Sequence, residues 1–202
     1  MSYFNKIYLG RFNNYVSSKY APYFLFILAL IESIFFPIPP DIFLIILILA
    51  FRDNALKFTI LCTLGSLIGA IIGYYIGFYF WWEVNNYSDL ANFFFKYIPG
   101  FTESTFTYLQ SQYQEYGFII IFTAGFTPIP FKIFTISSGA FKLNLSIFIL
   151  ASLISRFIRF FIIALLISYF GKNIVYYIEK YFNKMTLLIS LILLIIYIFL
   201  KI

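Results

Sequence analysis

Phe35-Phe36-Pro37-Ile38-Pro39-Pro40-Asp41 sits between two apolar runs, 21–36 and 42–51, and its reading decides the fold. A membrane-spanning helix needs about 20 consecutive apolar residues, and neither run is that long. Three prolines in four residues forbid an ordinary helix across the junction, because each removes a backbone donor and restricts the residue before it. The economical solution is a re-entrant hairpin that enters the bilayer, turns near mid-depth and returns. Broken backbone of that kind is tolerated where protein or a wet cavity surrounds it.

Outward from this break the chain keeps the same character. Residues 58–82 read as one long helix carrying Gly65, Gly69, Gly73 and Gly77 at four-residue spacing. Those glycines lie nearly on one face and admit a close neighbour, either another helix of the chain or a second copy in a homo-oligomer. Tyr79-Phe80-Trp81-Trp82 reads as an interfacial anchor. Residues 83–116 hold Glu83, Asp89, Glu103 and Glu115 against Lys96 alone, with Pro99-Gly100 in the middle. They are expected to form two short surface helices. Residues 117–141 then repeat the opening plan around Thr127-Pro128-Ile129-Pro130-Phe131-Lys132, and 145–170 form a second long helix containing Arg156 and Arg159. Residues 1–20 read as an interfacial amphipathic helix with a basic face, 173–184 as an amphipathic linker and 185–202 as a last transmembrane helix. The basic start followed by an apolar run could mimic a signal peptide, but Glu32 and the prolines interrupt that run, and the segment is expected to be retained.

Composition agrees. Of 202 residues, 62% are hydrophobic and 11% charged, and the mean hydropathy is +0.92. Soluble domains carry about 45–50% apolar and about 25% charged residues, so lipid is the remaining solvent. The net charge of +6 comes from basic residues scattered through loops and segment ends, which orients segments in a membrane and forms no nucleic-acid stripe. Cys62 is the sole cysteine and histidine is absent. An internal disulfide, a Cys/His metal site and His-dependent nucleophilic catalysis are therefore excluded. No cofactor, metal or enzymatic activity is expected.

The two halves align. Pro37-Ile38-Pro39 matches Pro128-Ile129-Pro130, and Ile42-Phe43 matches Ile133-Phe134. After a one-residue loss, Ala50-Phe51-Arg52-Asp53-Asn54 matches Ala140-Phe141-Lys142-Leu143-Asn144. Repeat one covers 21–82, the acidic segment 83–116 and repeat two 117–170. With Lys/Arg loops inside, the N-terminus is cytoplasmic, the acidic segment outside, and the repeats enter from opposite faces. Inverted repeats with broken helices are an architecture of secondary transporters. The fold class read here is all-α: a polytopic membrane protein built as an inverted repeat.

Glu32, Asp41, Lys132, Arg156 and Arg159 fall within apolar segments, where ionisable groups are costly and mark functional sites by default. The bland alternative is snorkelling or ion pairs that only hold the bundle together. Glu32 and Asp41 suit proton binding and release. Lys132, Arg156 and Arg159 suit a lipid phosphate. The alignment sets Asp41 opposite Lys132, so these two are expected to converge. Ser137-Ser138-Gly139-Ala140 serves either helix packing or ligand contact, with packing at least as strong a reading.

This pattern resembles the DedA family, also called the VTT or SNARE-associated Golgi protein domain. The carrying residues are Glu32, Phe36-Pro37-Ile38-Pro39-Pro40-Asp41, the helix Gly65–Gly77, and Phe126-Thr127-Pro128-Ile129-Pro130-Phe131-Lys132 with Ser138-Gly139-Ala140-Phe141. The resemblance covers about residues 20–172, and the second break looks like the YqaA-type branch. It implies a bacterial inner-membrane protein with two re-entrant hairpins that moves lipids between leaflets. Members of the family include translocases of undecaprenyl phosphate or phosphatidylethanolamine, driven by protons or ions, and eukaryotic relatives resemble phospholipid scramblases. The family's membrane acids would fall on Glu32 and Asp41. Its two arginines near the second hairpin would fall on Gly125 and Phe131, so the basic site of this chain departs from the pattern. Expected partners are membrane lipids. A passive scramblase and a non-transporting assembly factor are the alternatives.

Overall fold

The computed structural model describes residues 20–35, 38–83, 86–98, 102–127 and 129–171. The expected basic N-terminal helix, the 173–184 linker, the last transmembrane helix, Pro37 and Pro128 lie outside the described residues. Within them the protein is all-α apart from one two-stranded ribbon.

Helix α1 (Ala21–Ile34) and helix α2 (Pro40–Ala50) flank the first break. Pro40 opens α2 at a position whose N–H has no helical partner in any case, and extended backbone at Pro39 precedes it. At ~1.5 Å per residue neither helix reaches across a ~30 Å hydrocarbon layer. The chain doubles back at the break: Phe24 of α1 meets Phe43 of α2 edge-on, centroids 5.0 Å apart. After a 3-10 turn (Arg52–Asn54), helix α3 (Ala55–Trp81) runs for 27 residues. The ribbon follows, β1 (Trp82–Glu83) paired antiparallel with β2 (Asn86–Tyr87). Helix α4 is Asp89–Tyr97, α5 is Glu103–Phe126, α6 is Phe131–Ala140 and α7 is Leu145–Phe170. Arg52–Trp81 and Leu145–Phe170 are long and apolar enough to cross a membrane.

The second break also folds back on itself. A Cβ on Gly125 of α5 would lie 3.4 Å from the Phe131 ring of α6, and Gln114 of α5 reaches the far end of α6. The acidic segment forms two helices as expected, α4 and the first part of α5, from Glu103 to a kink at Tyr116, beyond which α5 runs on to Phe126. Between Thr102 and the second break no proline forces a stop. The change of direction is taken up by non-helical backbone at Tyr116 (φ −114°, ψ 15°), next to Gly117, whose bare face receives Leu143. The ribbon of β1 and β2 was not foreseen.

The glycine ladder explains how the halves meet. Gly65 and Gly69 lie against the Phe26 and Leu30 carbonyls of α1, while Gly73 and Gly77 lie against Thr135 and the Ile136 carbonyl of α6. The contact is intramolecular, and one helix uses a single bare stripe to hold both broken helices. Gly139 of α6 completes the crossing by lying on the Tyr74 carbonyl of α3. The Ser137–Ala140 stretch is thus a packing surface.

Two apolar cores result. One gathers Leu25, Ala29, Leu44, Leu47, Phe58, Cys62, Phe160 and Ala164. The other gathers Ala70, Tyr74, Phe106, Tyr113, Ile121, Phe131, Phe141 and Phe148. Its end is plugged by the acidic segment, where Trp81 stacks on Phe106 at 5.2 Å and Tyr113 tilts on Phe141 at 4.7 Å. Burial pushes the Tyr113 phenol up to about 12, so it stays neutral at ordinary pH.

The plug is tied to α6 by glutamines. Gln110 Nε2 donates to the Phe141 carbonyl at 3.2 Å, and Gln114 Nε2 donates to the Phe141 and Lys142 carbonyls at 3.1 and 3.0 Å. These carbonyls lie at a helix end that offers them no ladder partner. Gln114→Ala is expected to lower stability by about 1–2 kcal/mol, read as a lower thermal midpoint of the purified protein.

Candidate functional site

Most of the buried polar residues fall between the two cores. Ser33 of α1, Thr63 and Ser66 of α3, Thr135 of α6, and Ser152, Ser155 and Arg156 of α7 are buried. Along α3 the polar position 66 separates Cys62 of one core from Ala70 of the other. Along α7 positions 152–159 separate Ala151 from Phe160. The layer therefore crosses both long helices about halfway along their length. Ser33 Oγ and Ser66 Oγ are 2.8 Å apart, which fixes the end of α1 beside the middle of α3.

Both carboxylates sit at this layer and both are paired with α7. Arg159 grips Asp41 with two bonds, Nε to Oδ1 at 3.1 Å and Nη2 to Oδ2 at 2.8 Å. Its Nη1 donates to the Phe126 and Thr127 carbonyls at 3.2 and 2.7 Å. One guanidinium thus holds the first turn of α2 and the last carbonyls of α5, the negative end of that helix. Asp41 stands in the first turn of α2, where an anion is favoured.

The second pair is looser. Arg156 Nη2 lies 3.3 Å from Glu32 Oε2, and Ser33 Oγ donates to the same oxygen at 3.4 Å. The Arg156 side chain is 4% exposed, Glu32 13%. Arg156 lies over the Phe131 ring at 4.2 Å, an attractive cation–π geometry. Its Nε, and Ser152 Oγ one turn earlier on the same face, have no hydrogen-bond partner among the described residues. A buried cation with one long contact is under-satisfied, because each unmade bond at such a group costs desolvation energy.

Lys132 and Asp41 form no ion pair among the described residues, against the expected convergence. Lys132 Nζ donates to the Phe35 carbonyl at 3.0 Å, and Thr135 Oγ1 donates to the Ser33 carbonyl at 3.3 Å. These two donors of α6 cap the C-terminal end of α1, as Arg159 caps α5. Each broken helix thus ends on a cation supplied from elsewhere in the chain. A repeat alignment places equivalent positions but not the register between helices, and register decides the partners. Pro39, Pro40 and Pro130 lie at the breaks as read. Gly65, Gly69, Gly73, Gly77 and Gly139 lie at helix crossings, Gly69 and Gly73 of them against Ser33 and Thr135 of this layer.

An all-α membrane fold with two broken helices, glycine-packed around one long helix and paired through buried charges, defines a class of polytopic membrane proteins. Comparison with known proteins specifies it. The VTT domain profile matches residues 38–169, and the chain belongs to the VTT-domain (DedA) family. It is 36% identical over 175 residues, 86% of this chain and 85% of the relative, to the uncharacterized protein HI0703 homolog of Histophilus somni. It is 30% identical over 155 residues, 77% of this chain and 76% of the relative, to an uncharacterized protein of Haemophilus influenzae. No solved structure matches.

Proposed function

We propose that this membrane protein moves a phosphate-bearing lipid, undecaprenyl phosphate or a phospholipid, between the leaflets of the bacterial inner membrane. The N-terminus is cytoplasmic in this reading. Both breaks are re-entrant tips, and the polar layer is where headgroup and protein charges exchange. The carrying observation is the contrast between the two arginines: Arg159 has its hydrogen bonds satisfied, whereas buried Arg156 keeps one 3.3 Å contact and an unpartnered Nε.

Three negatively ionisable groups compete for the arginines: Glu32, Asp41 and the incoming phosphate. Inside a low-dielectric layer an arginine deprived of its carboxylate is strongly unfavourable, so a partner must replace the one that leaves. Protonation of Glu32 neutralises it and leaves Arg156 to a phosphate oxygen, with the Ser152 hydroxyl one turn away. Proton release restores the pair and expels the phosphate. The chemistry couples a proton to one anionic headgroup and needs no cofactor. Lys132 and Arg159 hold the breaks in place around the exchange, and Asp41 is the second proton-linked acid. A passive scramblase would use the same groove without this exchange.

The test is reconstitution of the purified chain in liposomes, following leaflet exchange of labelled undecaprenyl phosphate and phospholipids. Wild type is expected to move at least one of them, and Arg156→Gln to slow that movement by about tenfold or more, the loss of one charge-assisted contact. Failure of folded wild type to move any lipid would overturn the proposal.

A further inference from the structure

Helix α6 ends in a Schellman turn. Lys142 N donates to the Gly139 carbonyl at 3.0 Å, and Leu143 N to the Ser138 carbonyl at 2.9 Å. The residue at the left-handed position of such a turn is usually glycine, since a side chain there is strained. Here it is Lys142, at φ 54°, the one non-glycine residue with positive φ among the described residues. Retained strain directs attention to what the side chain does. The matching residue of the first repeat, Arg52, lies instead in the 3-10 turn before α3, so the feature belongs to the second repeat alone.

The strained backbone places Lys142 Nζ 3.7 Å from the centre of the Trp82 ring. That ring is itself fixed: its Nε1 donates to the Ala140 carbonyl at 2.7 Å, and Tyr87 stacks on it at 4.8 Å. Lys142, Glu83, Trp82, Phe78 and Tyr79 line a shallow, largely open cavity at the surface. It opens at the end of α3, where Tyr79 and Phe80 are 69% and 63% exposed. Exposed aromatics at the end of a spanning helix mark the membrane interface. One cation and one anion face the cavity, and among the described residues neither belongs to an ion pair.

We infer that this cavity binds the headgroup of a zwitterionic phospholipid, its phosphate toward Lys142 and its ammonium toward Glu83 and the aromatic faces. An anionic headgroup would meet Glu83 uncompensated, and a cationic ligand would meet Lys142. Only a ligand carrying both signs answers both. Aromatic faces attract ammonium groups independently of Glu83. Acyl chains would lie along the exposed Tyr79–Phe80 side, in the bilayer. The inference rests on the part of the proposed function that sets this end of α3 at a membrane interface. It does not require lipid movement, and its site shares no residue with Arg156 and Glu32.

The test is native mass spectrometry of the purified full chain with equimolar phosphatidylethanolamine and phosphatidylglycerol. Wild type is expected to retain the zwitterionic lipid preferentially. Lys142→Gly removes the cation and relieves the strained turn, so its thermal midpoint should equal or exceed that of wild type while preferential retention falls by about tenfold. Glu83→Gln should shift retention toward the anionic lipid. Equal retention of both lipids by wild type, or an unchanged preference in both variants, would overturn the inference. A preference that holds while no lipid moves in liposomes would support this site and sink the proposed transport. Loss of preference with lipid movement intact would do the reverse.

Discussion

Replacing Arg159 with glutamine is expected to cost about 3–5 kcal/mol of stability, the usual penalty for breaking a buried pair from one side. Four hydrogen bonds would be lost: two to Asp41, and those to the Phe126 and Thr127 carbonyls. Asp41, 14% exposed, would remain as a charge without its partner, at the junction of α2 and α5. Arg156→Gln should behave differently. It removes a single 3.3 Å contact and an unsatisfied Nε, though it also leaves Glu32, 13% exposed, without its partner, so the loss should be clearly smaller than for Arg159→Gln, where four hydrogen bonds go. Thermal unfolding in detergent separates the two substitutions. A further check is the pair Asp41→Asn with Arg159→Gln, which should be more stable than Arg159→Gln alone because no unpaired charge is left behind. Equal destabilisation by Arg156→Gln and Arg159→Gln would remove the distinction on which the assignment of roles rests.

The second large effect is expected at the crossing of α3 and α6. A Cβ on Gly139 would fall within contact distance of the Tyr74 carbonyl oxygen, and 2.7 Å from Phe78 N. One on Gly77 would press on the Ile136 carbonyl and lie 3.0 Å from Ala140 N. These are backbone atoms, and no rotamer change can clear them. Overpacking of this kind costs about 1–3 kcal/mol or more, and the helices must separate to relieve it. Gly77→Ala and Gly139→Ala should each reduce the yield of folded protein and lower its thermal midpoint by several degrees, roughly the shift that 1–3 kcal/mol produces. Gly117→Ala is the useful contrast. There the obstruction is the flexible end of the Leu143 side chain, so the loss should be smaller. If all three behaved alike, close backbone approach would not be what the ladder is for.

Much of this was legible in the sequence, for identifiable reasons. Proline clusters at 37–40 and 128–130 mark breaks by local sterics, which hold whatever surrounds them. A four-residue glycine repeat marks a bare helix face in any fold. Ionisable residues in apolar runs stand out because lipid makes them costly. Pairing was not legible. Arg156 and Arg159 share a face, yet one meets Glu32 and the other Asp41, and only the relative register of α1, α2 and α7 decides which. The ladder's partner was also open, since glycines state that something approaches but not what. The kink at Tyr116 falls where the acidic segment was read to end, and Pro99-Gly100 signals the boundary before Glu103. Lys142 was invisible as a turn residue because lysine is the wrong signal for positive φ.

Among all these tests, the most direct is the rate of leaflet exchange of labelled undecaprenyl phosphate in liposomes containing the wild-type chain, measured with and without a pH gradient. Carboxylate–arginine exchange predicts movement that accelerates under the gradient and loses that acceleration in Glu32→Gln. Equal rates with and without the gradient, or no movement by the folded protein, would contradict the account.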